Sequence, residues 1–175
     1  EAAEREGAEI IGLGAYTKVI GDAGVTVDRL SPIPVTTGNS LSASSTLWAA
    51  KECVYKMGFV SSNEQGKATS SAVVIGATGS IGSVVARILA RIFCRVVIVA
   101  RRPSKLLDLR QTILEESPEC QVVAASEADP YLEDCHLIIT TTSNQSGKRL
   151  LDIDRVMPGT VICDVSRPFD VTKEE

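Results

Sequence analysis

Two stretches of this sequence suit phosphate chemistry. The first is Gly76-Ala77-Thr78-Gly79-Ser80-Ile81-Gly82, where three glycines follow the apolar run Ser71-Ala72-Val73-Val74-Ile75. The second is the arginine pair in Ala100-Arg101-Arg102-Pro103-Ser104-Lys105. Glycine permits backbone angles that a side chain forbids, so the chain can turn sharply where the apolar run ends. A helix begun at such a turn presents unpaired N–H groups to an anion. Strand, glycine turn and helix together make a site for a pyrophosphate, and Gly76 to Gly82 is the expected nucleotide loop. The competing reading is an ordinary βα turn that happens to hold three glycines. Ile81, Val84, Val85, Ile88, Leu89 and Ile92 recur at helical spacing after the turn, and that context favours the dinucleotide.

The arginines bear on which dinucleotide. An NAD site usually carries Asp or Glu at the end of the second strand, for the ribose 2′-hydroxyl; an NADP site carries Arg near the 2′-phosphate. Here no acid occurs between Ala100 and Asp108. The separation of Gly76 from Arg101 fits a βαβ unit of about 25–30 residues, and a guanidinium can grip phosphate with two parallel bonds. NADP is therefore the expected cofactor, against the reading of Arg101 and Arg102 as solvated surface charge. Thr141, Thr142 and Ser143 follow the fourth apolar strand, where they would line the nicotinamide half. Asp164 and Arg167, at the exit of the fifth, are either part of that edge or an incidental ion pair.

Composition narrows the class. At 175 residues, 44% hydrophobic and 23% charged, the chain is an ordinary globular sequence of about one domain or slightly more. A net charge of −4 and 4% aromatic residues argue against nucleic acid or anionic lipid as partners. No apolar run reaches the roughly 18–20 residues of a membrane span. Five scattered cysteines and one histidine offer no multi-histidine metal site. Their odd number and the absence of a signal peptide point to reduced thiols and a cytoplasmic protein. The opening Glu-Ala-Ala-Glu-Arg-Glu, without Met, reads as the end of a charged helix in a piece of a longer protein.

Strands and helices must position these residues. Strands are expected at 71–75, 95–100, 121–124, 137–141 and 160–165, with helices at 81–92 and 104–116 and shorter turns at 127–133 and 150–156. β-branched strands without polar alternation belong to parallel sheets covered by helices. The expected architecture is α/β: a doubly wound Rossmann domain over residues 66–175. Residues 1–65 are expected to be the remnant of an N-terminal, substrate-side domain. It comprises a strand and glycine loop near 9–20 and a long linking helix, Leu41 to Met57. Ser40 or Asn39 would cap that helix, and Leu47, Trp48, Val54 and Tyr55 would share a face. Cys163 is expected to be a buried inert thiol, and Cys135 and His136 sit at the non-catalytic end of their strand.

Three stretches in order, IIGLGAYTKVI, VTTGNSLSASS and VVIGATGSIGSVVARILA, followed by VARRPSK, resemble the cyanobacterial-type long-chain acyl-[acyl-carrier-protein] reductases. More broadly the chain is similar to the amino-acid-dehydrogenase-like Rossmann group, with shikimate dehydrogenases and glutamyl-tRNA reductases; CDVSRPFDV looks like the matching strand end in the latter. The resemblance implies NADPH-dependent reduction of a fatty acyl thioester to an aldehyde, with acyl carrier protein as a possible partner. It also implies a thioester to an enzyme cysteine beyond the matched segment, so the catalytic residue is not assigned to any cysteine here. Thr37 and Asn39 of the TTGN stretch would lie near the nicotinamide or substrate. The alternatives are a shikimate- or methylene-pterin-type NADP dehydrogenase without a covalent intermediate, and a non-catalytic NADP-sensing module.

Overall fold

The computed structural model describes residues 2–14, 24–58, 60–143, 150–166 and 169–171. By contacts the chain forms two compact units, Glu1–Ser42 and Ala43–Glu175. In the first, α1 (Ala2–Arg5), β1 (Ile11–Leu13), α2 (Val25–Leu30) and β2 (Val35–Thr37) precede the start of α3 (Gly38–Met57). β1 and β2 pair in parallel, with Ile11 opposite Val35 and Leu13 opposite Thr37. Most of the expected glycine loop, residues 15–20, lies outside the described residues. The Thr37 hydroxyl accepts the Asn39 N–H at 3.4 Å at the start of α3, which begins at Gly38 rather than at the expected Leu41.

The second unit takes in most of α3, although the sequence suggested a division at 65/66. Ala43, Leu47, Ala50 and Val54 join one buried cluster with Ala68, Leu89, Phe93 and Leu137. Their spacing of three, four and seven residues makes one helical stripe. The expected face of Leu47, Trp48, Val54 and Tyr55 is thereby corrected: Trp48 and Tyr55 are 80% and 64% exposed. Two alanines, which periodicity weighs little, join Leu47 and Val54 on the buried face.

β3 (Ala68–Ile75), α4 (Ser80–Ile92), β4 (Phe93–Val99), α5 (Pro103–Glu116), β5 (Gln121–Ala125), β6 (Leu137–Thr140) and β7 (Val161–Asp164) complete the unit. The five strands form one parallel sheet in the order β5-β4-β3-β6-β7. Alternate residues face opposite ways. Ala72, Val74, Val96, Ile98 and Ile139 pack with α3, α4 and α5. Val73, Ile75, Val97, Val99 and Ile138 pack instead with Leu132 and Leu151. This second face is covered by short 3₁₀ turns, Asp129–Asp134 and Ile153–Arg155, rather than long helices. Pro103 occupies the start of α5, where its missing N–H costs nothing. The arrangement is the expected doubly wound α/β fold, and strand order reverses between β3 and β6.

Core and surface should differ sharply under mutation. Leu47→Ala, at 7% exposure, is expected to lose about 3 kcal/mol of stability. Trp48→Ala should stay within about 0.5 kcal/mol. Urea unfolding of both variants checks the assignment of α3's buried face.

Candidate functional site: a cleft at the carboxyl edge of the sheet

The reversal of strand order opens a crevice at the carboxyl ends of β3 and β6, where ligands bind in such sheets. β3 ends at Ile75, and Gly76 follows with φ of +80°, a conformation that glycine adopts without strain. The Gly76 and Ala77 N–H groups both donate to the Val99 carbonyl, at 2.9 and 3.1 Å, tying the turn to β4. The Gly79 N–H donates to the Gly76 carbonyl at 2.9 Å. α4 then begins with no side chain capping its first N–H groups.

The three glycines do different work. A Cβ on Gly82 would meet the Gly76 carbonyl oxygen, the Thr141 Oγ1 at 2.6 Å and the Ala77 Cα at 2.9 Å. Gly82 thus lets the helix close onto the turn. A Cβ on Gly76 would lie 3.0 Å from the Thr141 Oγ1 and carbonyl carbon. Gly79 is less crowded, with the Gly76 carbonyl oxygen at 3.2 Å, and borders the cleft.

That cleft has a volume of about 800 Å³. Gly76, Thr78, Gly79, Arg101, Arg102, Thr141, Thr142 and Ser143 line it; Ala77, Ser80, Ile81 and Gly82 do not. Ala77 is fully buried and Ile81 packs against the core, so both support the loop from behind. Thr141 is held structurally: its hydroxyl lies 3.0 Å from the Ile75 carbonyl oxygen and 3.2 Å from that of Gly76. Thr37 and Asn39 belong to the first unit.

Ser126, Glu127 and Asp129, just past β5, also line the cleft, as do Leu150, Leu151 and Asp152. The former were legible, since β5 must end on the same edge as β3 and β4. The latter arrive because the Asp152 N–H donates to Asp129 Oδ1 at 3.0 Å, a pairing that no local pattern signals.

Arg101 and Arg102 are exposed at the end of β4, and among the described residues neither forms an ion pair. Other arginines are engaged: Arg87 and Arg91 with Glu116, Arg95 with Asp134, Arg155 with Glu133. Two unneutralised guanidinium groups beside an open helix N-terminus fit a phosphorylated nucleotide.

At the far end, burial pushes the Asp164 pKa up. Hydrogen bonds from the Thr140 hydroxyl, the Val171 N–H and Ser166 outweigh it and hold the carboxyl below its ordinary 3.8. Because the folded value is depressed, the stability Asp164 contributes is fully present above 3.8 and lost as pH falls through the lower, folded value. Asp164→Asn should therefore lose stability more gently than the parent below about pH 4, read by denaturant midpoints across pH. Arg167, its suggested ion-pair partner, lies outside the described residues.

Three of the five cysteines are poor nucleophiles. Burial raises the thiol pKa of Cys120 and Cys163, and pushes that of Cys135 up to about 12, helped by Asp134. Cys163 is partly exposed rather than sealed, but its thiol is still disfavoured as thiolate.

Residues 60–175 match the shikimate / quinate 5-dehydrogenase family. The chain belongs to that family. The family is one of dehydrogenase-type NAD(P)-binding domains. A curated relative, aminotransferase PigE of Serratia sp. (strain ATCC 39006), is 27% identical over 169 residues, 97% of this chain and 19% of that protein. The chain thus spans about a fifth of that relative's length. Among solved structures, a dipicolinate synthase subunit from Bacillus halodurans matches with a TM-score of 0.53 at 14% identity, over 94% of this chain and 53% of that one. An L-alanine dehydrogenase matches at 0.59 and 10% identity, over 99% and 60%. At such identities these likenesses show the fold alone. Among the described residues, no helix is long and apolar enough to cross a membrane.

Proposed function

We propose that this dehydrogenase-family domain binds NADP(H) and forms the reductant-holding part of an enzyme that reduces a fatty acyl thioester to an aldehyde. The observation that carries the cofactor choice is the pair Arg101 and Arg102 in the cleft wall, without an ion-pair partner among the described residues and with no acid on the same loop. NADPH, when bound, supplies the hydride. Gly76, Thr78, Gly79 and the backbone N–H groups of Ser80, Ile81 and Gly82 in the first turn of α4 bind the pyrophosphate, with Ala77 packed behind the loop. Arg101 and Arg102 bind the 2′-phosphate. Thr141, Thr142 and Ser143 wall the nicotinamide half and keep water from it, and Thr37 and Asn39 serve the substrate side.

The acyl thioester rests on the GLGAYT and TTGN stretches and gains support from the relative PigE. An aminotransferase consumes a carbonyl compound, which is what thioester reduction delivers. Acyl carrier protein is the partner this substrate suggests, in the cytoplasm. The raised thiols of Cys120, Cys135 and Cys163 make these three poor choices as acyl acceptor. Family membership favours a second reading, a shikimate-type dehydrogenase that transfers hydride without a covalent intermediate. The two separate in one assay on the full-length protein. NADPH oxidation and aldehyde release with acyl-carrier-protein or acyl-coenzyme A thioesters support the first. Oxidation with dehydroshikimate alone supports the second and overturns the first.

A further inference from the structure

Beyond β6 and β7, one carboxylate gathers donors from three directions. Asp164 Oδ1 accepts the Thr140 hydroxyl at 2.6 Å and the Ser166 N–H at 2.9 Å. Its Oδ2 accepts the Asp170 N–H at 2.7 Å and the Val171 N–H at 2.9 Å. Held in this way, Asp170 turns its own carboxylate onto the Thr142 hydroxyl, 2.8 Å from both oxygens, and onto the Ser166 hydroxyl at 2.6 Å. The Ser166 oxygen in turn accepts the Thr142 N–H at 3.0 Å. Thr142 lines the cleft and Asp164 does not.

We infer that Asp164 is a positioning residue for the cleft: by anchoring Ser166 and Asp170 it fixes both the backbone and the hydroxyl of Thr142 in the wall facing the nicotinamide half. The inference rests on the NADP(H) reading above. Thr140 is the last residue of β6 and Asp164 the last of β7, paired in register, so the anchor stands on rigid strands. A neutral Asn at 164 keeps the size but not the chemistry. Its amide NH₂ would face either the Thr140 and Ser166 donors or the Asp170 and Val171 N–H groups, donor against donor. Thr142 would then lose its setting, while Arg101 and Arg102, at the end of β4, would not be touched.

That geography separates positioning from general weakening. Asp164→Asn is expected to raise the NADPH Kd about tenfold while leaving the Kd of 2′,5′-ADP, which carries only the adenosine half, within about twofold. Thr140→Val and Asp170→Asn, each removing one link, should show the same split with smaller loss, and carry the test if Asp164→Asn does not fold. Equal loss for both ligands, or no loss for either, would overturn the positioning role. Failure of the parent protein to bind 2′,5′-ADP or NADPH at all would instead overturn the cofactor reading, and the positioning role with it.

Discussion

Replacing Arg101 and Arg102 together by alanine is expected to weaken NADPH binding about a hundredfold while leaving NADH binding within about twofold. A hydrogen bond to a charged group contributes about 1.5–3 kcal/mol, and two guanidinium groups can each reach a 2′-phosphate. Both side chains are exposed, and solvent screening reduces what each contributes. A combined loss of about 3 kcal/mol is the scale that remains, which is the hundredfold. NADH has no 2′-phosphate, so its affinity should barely respond. Arg101→Lys with Arg102→Lys keeps the charge but loses the planar fork, and should fall between. Fluorescence titration of both nucleotides against each variant reads this directly, and equal loss for the two would contradict the role of these arginines.

Gly82→Ala should be the most damaging small substitution in the loop. The new Cβ meets backbone at the Gly76 carbonyl and at Ala77 Cα, 2.9 Å away, and neither is the end of a flexible side chain. Overpacking of this kind costs about 1–3 kcal/mol and more where backbone must move; about 3 kcal/mol or above is expected here. Gly79→Ala makes the informative contrast. Gly79 has φ of −76°, which any residue adopts, and its nearest contact is 3.2 Å. It should lose less stability than Gly82→Ala yet weaken dinucleotide binding, because the added methyl group stands where the pyrophosphate approaches. Denaturant midpoints and NADPH titrations on the two variants should rank them in opposite orders. Two variants with the same balance of losses would refute this division of labour.

Much of the fold was legible in the sequence because β3, β4 and β6 are buried on both faces, and uninterrupted Val and Ile runs mark such strands. The loop was legible for the same local reason, as strand, glycines and helix adjoin in sequence. What each glycine contacts was not. Thr141, the residue that crowds Gly76 and Gly82, comes from a strand far along the chain, and its pairing depends on the β3–β6 reversal. Local pattern therefore grouped seven consecutive residues as one binding loop, of which Gly76, Thr78 and Gly79 line the cleft. α3 misled for a different reason. Hydrophobicity gives weight to Trp48 and Tyr55, but the tightly packed face uses Ala43 and Ala50, whose small side chains permit close approach. The network around Asp164 joins residues from two strands and the segment that follows, and no spacing within one stretch reveals it.

Parallel titration of the unmodified protein with NADPH and NADH tests most directly whether this cleft is an NADP(H) site. Saturable binding of NADPH at least about tenfold tighter than NADH is the predicted result, as expected for two engaged charges. Equal affinity, tighter NADH, or no binding of either at millimolar concentration would contradict it.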